Sequence, residues 1–130
     1  MDSAPEMQVN RQTIDGAVVV TVIGEVDLMT SPEVLHEVMA GIEEADKPLC
    51  ILDLTGVTFL GSPGLAMLIT ASNQASTLGG VLRIVVDSDH PIIQPIQVTG
   101  LIDILAFYHS VDDALDADGD RMRQRDPPRR

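Results

Sequence analysis

The 130-residue sequence predicts an α/β fold: a small, mainly parallel sheet opened by an antiparallel hairpin and accompanied by about four helices. Three observations lead there. Runs rich in Val, Ile and Leu alternate with stretches of helical periodicity, the pattern of strand–helix–strand units with parallel pairing. The dipeptide Asp15-Gly16 separates the first two runs and is a short-hairpin signal. Finally, 45% hydrophobic but only 2% aromatic residues call for an aliphatic core, in a chain long enough for one domain and short for two.

The elements follow in order. Met7 to Ile14 alternates loosely and Ala17 to Ile23 is a continuous β-branched run, so the two form the hairpin. Ser31 reads as an N-cap with Pro32 at the first helical position, and Val34, Leu35, Val38, Met39 and Ile42 make a one-sided apolar stripe. Leu49 to Leu54, apolar apart from Asp53, suits a strand buried on both faces. A second helix starts at Ser62, is marked by Leu65, Leu68, Ile69, Ser72, Ala75 and Ser76, and stops at Gly79-Gly80. Residues 81–86 form another buried strand. Ser88 or Asp89 caps a short helix over "HPIIQPIQVTG", shortened by Pro95. "IDILAFY" reads as a last strand and "SVDDALDA" as a last helix, giving the order ββαβαβαβα with right-handed crossovers. The domain thus spans residues 7–117, behind a flexible start at 1–6. Residues 118–130, polar and proline-rich, are expected to be a disordered basic tail.

Charge restricts the partners. Five of the eight basic residues lie in the last ten positions. Before Asp118 only Arg11, Lys47 and Arg83 stand against seventeen acidic residues. Such a body repels phosphate backbones, so no nucleic-acid partner is expected, and a basic or mixed-charge protein is the better match. Simple solubility explains the charge equally well. No apolar run approaches the roughly 20 residues that cross a bilayer, and the N-terminus lacks the features of a signal peptide. A cytoplasmic protein without membrane contact is expected. The single cysteine, Cys50, excludes an internal disulfide. No His, Asp or Glu spacing suggests a metal site, and no cofactor is expected.

The stretch "FLGSPGLAM" places Ser62 between two glycines at a strand-to-helix turn. One reading is purely structural: Ser62 caps the helix, Pro63 takes its first position and Gly64 leaves the backbone uncovered. A nucleophile is rejected, because Gly61-Ser62-Pro63-Gly64 is not G-x-S-x-G and His36, His90 and His109 fall on an outer helix, a loop and a strand end. A phosphate loop is rejected because no lysine lies near the turn. Glu25 and Asp27 read as a solvated strand end, and Cys50 as a core residue.

The stretches "VIGEVDLMTSPEV", "CILDLTGVTFLGSPGLAMLITA" and "VTGLIDIL", in that order, resemble the STAS domain of bacterial anti-sigma-factor antagonists, over about residues 8 to 117. That resemblance implies a non-enzymatic binding module that captures an anti-sigma factor, itself a serine kinase, while unphosphorylated, and so frees a sigma factor for transcription. It implies Ser62 as the phosphate acceptor, a serine phosphatase that resets it, and Asp27 beside the acceptor. The implied partner-binding residues are Glu25, Asp27, Gly61, Ser62, Pro63 and Gly64, on a monomer or weak dimer. Many family members carry aspartate where this chain has Gly61, and serine or threonine where it has Pro63. The alternatives are a sensor or scaffold module whose serine stays unmodified, and a small enzyme using Ser62 or Cys50.

Overall fold

Asp15 and Gly16 both adopt positive φ (52° and 85°), so the turn twists with the strands it joins and Ile14 pairs directly with Ala17. On either side run β1 (Met7–Ile14) and β2 (Ala17–Val26), antiparallel and in unbroken register from Met7↔Gly24 to Ile14↔Ala17. The computed structural model describes residues 7–116. The expected flexible start and basic tail lie outside the described residues.

The remaining elements are α1 (Ser31–Glu44), β3 (Leu49–Leu60), α2 (Ser62–Thr77), β4 (Val81–Val85), α3 (Ile93–Val98), α4 (Leu101–Ile104), β5 (Phe107–Tyr108) and α5 (Val111–Leu115). The sheet order is β1-β2-β3-β4-β5, antiparallel at the first pair and parallel at the other three. This is the predicted mixed sheet, with five helices among the described residues.

Strand alternation divides the interior in two. Val18, Val20 and Val22 of β2, Leu52 and Leu54 of β3 and Ile84 of β4 point to one face, where they pack with Val34 and Val38 of α1, Leu68 and Ala71 of α2 and Ile96 of α3. Val19, Ile51 and Val85 point to the other face and meet Tyr108 and Ala114, with Val111 and Leu115 of α5 alongside. The Arg83 guanidinium fastens α5 there: Nη1 donates to the Ala114 carbonyl at 2.6 Å and the group lies 5.6 Å from the centre of the Tyr108 ring. Cys50, as expected, is a buried core residue.

Local differences from the sequence reading have identifiable causes. β3 runs six residues beyond Leu54, because β2 continues beside it through two register shifts to Glu25↔Phe59 and Val26↔Leu60. Leu101 to Ile104, expected as strand, is helical. Leu101, Ile102 and Leu105 are buried, and the Leu105 amide donates to the Leu101 carbonyl at 2.9 Å. Strand is left only at Phe107–Tyr108. On α2 the buried face carries Gly64, Met67, Leu68, Ala71 and Ala75, while Ile69 and Ser76 are exposed. Neither Ser88 nor Asp89 caps α3. The turn before it is held by His90, whose Nδ1 accepts from the Ile92 amide and whose carbonyl accepts from the Ile93 amide. The expected stop of α2 is correct: Gly79 has φ 79°, and the amides of Gly79 and Gly80 close back onto the Ser76 and Ala75 carbonyls.

Candidate functional site

The adjacent ends of β2 and β3 build the site. The Glu25↔Phe59 and Val26↔Leu60 pairs are the last of the ladder, and the Gly61 amide extends it by donating to the Val26 carbonyl at 3.0 Å. Two turns therefore leave the sheet side by side, residues 27–30 leading into α1 and Gly61-Ser62 leading into α2.

Gly61, in extended conformation (φ −83°, ψ 177°), is the N-cap of α2, and its carbonyl accepts from the Leu65 amide at 3.0 Å. Ser62 is the first helical residue. This corrects the expected cap: no side chain caps α2, and the Ser62 side chain is exposed to solvent. The difference is one residue in register, because the ladder hydrogen bond of Gly61 holds the strand-to-helix switch one position earlier. Pro63 then occupies the second helical position, where its missing N–H breaks no helical bond. Nothing acidic stands in the first turn of α2, so the positive end of the helix dipole is uncompensated by the helix's own side chains.

Gly64 differs from expectation as well. Its backbone is buried, and a Cβ there would meet Leu60 Cδ1 at 2.6 Å and the Val26 carbonyl oxygen at 3.2 Å. Glycine is needed for close packing of the first turn of α2 onto the strand ends. Gly61 faces the Phe59 ring instead, with a hypothetical Cβ 3.1 Å from its Cε2. The phenyl ring thus lies along the backbone that precedes Ser62.

On the β2 side, Asp27 organises its own turn. Its Oδ1 accepts from the Met29 amide (2.9 Å), the Thr30 amide (3.1 Å) and the Thr30 hydroxyl (3.1 Å). The Asp27 amide donates to Thr30 Oγ1 at 2.9 Å, and its carbonyl accepts from the Ser31 amide at 2.9 Å. Thr30 Oγ1 also lies 2.9 Å from the Glu25 carbonyl, so its single proton is shared between that oxygen and Asp27 Oδ1. The Thr30 amide, first among these partners, holds the Asp27 carboxyl below its ordinary value of 3.8. Thr30 is the N-cap of α1, which corrects Ser31, now the buried first residue of the helix. Glu25 is exposed at the strand end.

The two strand ends therefore bring together the segments that carry Glu25, Asp27, Gly61, Ser62, Pro63 and Gly64. Sequence reasoning missed three neighbours. Leu28 and Met29, at the tip of the Asp27 turn, are 71% and 81% exposed, and Phe59 is 51% exposed. The available signal was an apolar pair inside a turn between a strand and a proline-started helix. The three histidines do not join the site: His36 is on the outer side of α1, His90 precedes α3 and His109 follows β5. No group of three or more metal-ligating side chains exists among the described residues, and no described helix is long and apolar enough to cross a membrane.

Comparison with known proteins bears on the domain as a whole. The family model described as STAS domain matches residues 8–114. An anti-sigma factor antagonist from Mycobacterium paratuberculosis superposes with a TM-score of 0.75 at 32% identity, over 91% of this chain and 99% of that one. The anti-sigma factor antagonist SpoIIAA in its unphosphorylated form gives 0.66 at 15% identity, over 84% of this chain and 94% of its own. SpoIIAA in the phosphorylated form, a Bacillus cell fate determinant, gives 0.60 at 15% identity, over 84% and 97%. At 15% identity these last two bear on the fold alone. No curated protein matches the sequence.

Proposed function

The chain belongs to the STAS domain family, and on that premise we propose that it is an anti-sigma-factor antagonist switched at Ser62. In this reading the unphosphorylated protein binds an anti-sigma factor in the cytoplasm and thereby releases a sigma factor. The anti-sigma factor is also the serine kinase that ends the binding, and a serine phosphatase restores it. The protein acts by binding and catalyses no reaction.

One observation carries the proposal. Ser62 is an exposed hydroxyl at the first position of a 16-residue helix, and its side chain caps nothing. A cap would have explained the residue structurally; its absence removes that explanation. The surroundings suit a phosphate acceptor. A phosphate brings about −1.5 to −2 charges and three acceptor oxygens. A helix N-terminus tolerates that charge, so the fold survives the modification. On an exposed turn, the same charge and its bound water stand where a docked partner would have to exclude solvent, so the modification opposes binding at the interface and spares the core.

The test is phosphorylation by the cognate anti-sigma factor. With ATP, the native protein should gain one phosphate, mapped to Ser62 by peptide mass analysis, and lose affinity for the anti-sigma factor. Ser62→Ala should gain none and keep binding. Phosphate on another residue, or binding indifferent to phosphate at Ser62, would sink the reading.

A further inference from the structure

Beside the acceptor lies a set of residues that the switch itself does not explain. The chain contains three aromatic side chains. Phe107 and Tyr108 are buried, and Phe59 alone is half in solvent, packed along Gly61 immediately before Ser62. On the neighbouring turn, Leu28 and Met29 are the two most exposed large apolar side chains at this end of the sheet. Apolar groups scattered singly on a surface need no explanation, but three on adjoining segments do.

The turn that carries Leu28 and Met29 is tied down by hydrogen bonds. Asp27 Oδ1 takes two backbone amides of that turn, and Thr30 ties it back to the Glu25 carbonyl. Pre-ordering lowers the entropic cost of docking, and Met and Phe are residue types enriched at interface centres. Charge then specifies what docks. The flanking ionisable residues at this end are Glu25, Asp27 and Glu33, all acidic. The basic residues of the described body are engaged elsewhere. Arg11 bridges Glu37 and Glu44 at 3.0 and 3.2 Å, Lys47 lies over the hairpin turn at Gly16, and Arg83 fastens α5.

From this we infer that Leu28, Met29 and Phe59 are the apolar centre of the docking surface, and that they fit a protein partner offering an apolar groove rimmed by Lys and Arg. The inference rests on the anti-sigma-factor reading and assigns the partner's surface chemistry. The apolar trio supplies the residence time and the acidic rim the approach rate. A phosphate at Ser62 adjoins both, placing charge beside a contact that must shed water.

The experiment uses the full chain against the purified anti-sigma factors of its own organism, with binding followed by calorimetry and stopped-flow mixing. Leu28→Ser, Met29→Ser and Phe59→Ser are measured alone, because the first two positions are too exposed to unfold the protein, and melting temperatures are recorded for all. The expected result is a loss of at least tenfold in affinity for Met29→Ser and Phe59→Ser, expressed in dissociation rate, at an unchanged melting temperature for Met29→Ser. Raising salt should slow association of the unaltered protein. If the unaltered protein binds and Ser62→Glu weakens it, yet all three serine variants bind within twofold, the docking inference fails and the switch stands. If the unaltered protein binds none of the anti-sigma factors, the functional reading fails and takes the inference with it.

Discussion

Gly64 and Leu60 are so close that a Cβ on the glycine would lie 2.6 Å from Leu60 Cδ1, with Val26 Cγ1 only 3.1 Å away. The approach sets the position of α2 against the strand ends. In an isolated helix, alanine is favoured over glycine by about 1 kcal/mol. Here overpacking opposes it with about 1–3 kcal/mol, because Leu60 is buried and Val26 is fully so. Gly64→Ala should therefore destabilise the domain by about 1 kcal/mol net, a fall of about 3–6 °C in Tm by calorimetry. An unchanged or raised Tm would show that α2 is free to lift from the sheet.

Ser62 makes no capping hydrogen bond, so its removal should be almost silent in stability. Ser62→Ala is expected within about 0.5 kcal/mol of the unaltered protein in urea unfolding. Ser62→Glu places the missing negative charge in the first turn of α2 and should stabilise by about 0.3–1 kcal/mol at low ionic strength, fading with salt. A loss of 1 kcal/mol or more in Ser62→Ala would restore the cap.

The Asp27 carboxyl is held below its ordinary value of 3.8, first by the Thr30 amide and also by the Thr30 hydroxyl and the Met29 amide. The folded state therefore favours the charged form. Its contribution is complete above that ordinary value and disappears as pH falls through the lower folded one. In carboxyl carbon NMR, Asp27 should titrate with a midpoint under 3.8. Amide exchange at Met29 and Thr30 should accelerate below that midpoint, and Asp27→Ala should produce the same acceleration at neutral pH. A normal midpoint would mean that the turn does not depend on the charge.

Cys50 is buried, and desolvation pushes its thiol up to about 12. Between pH 7 and 9 it stays protonated and unreactive. Iodoacetamide should leave the native protein unmodified over hours and alkylate it fully once denaturant is added. Rapid labelling of the native state would reveal opening of β3.

What could be read from the sequence was what local chemistry decides. Asp15-Gly16 dictates its turn, Val34, Val38 and Ile42 mark the inner face of α1, and Gly79-Gly80 ends α2. The far half of β3 was not legible, since Gly56 and the threonines interrupt its pattern and its pairing depends on β2 shifting register. Leu101 to Leu105 is a short apolar run that fits strand or helix, and its helical form goes with the burial of Leu101, Ile102 and Leu105 in the main core. At the site, the turn around Ser62 and the Asp27 strand end were visible as motifs. The Leu28, Met29 and Phe59 surface was not, because an apolar residue in sequence says nothing of whether the fold covers it.

Every strand pairs with its neighbour in sequence, so the sheet grows by addition at one edge. Each residue assigned to the candidate site precedes Thr77, and β4, β5 and the three short helices supply none. On the ribosome the candidate site is thus translated before β4, β5 and the three short helices, whose buried residues complete the core. Pairing each strand with its neighbour in sequence means that no pairing waits for a later element, which suits vectorial folding. Nascent-chain force measurements should register an early step once α2 has left the exit tunnel, before β4 is made.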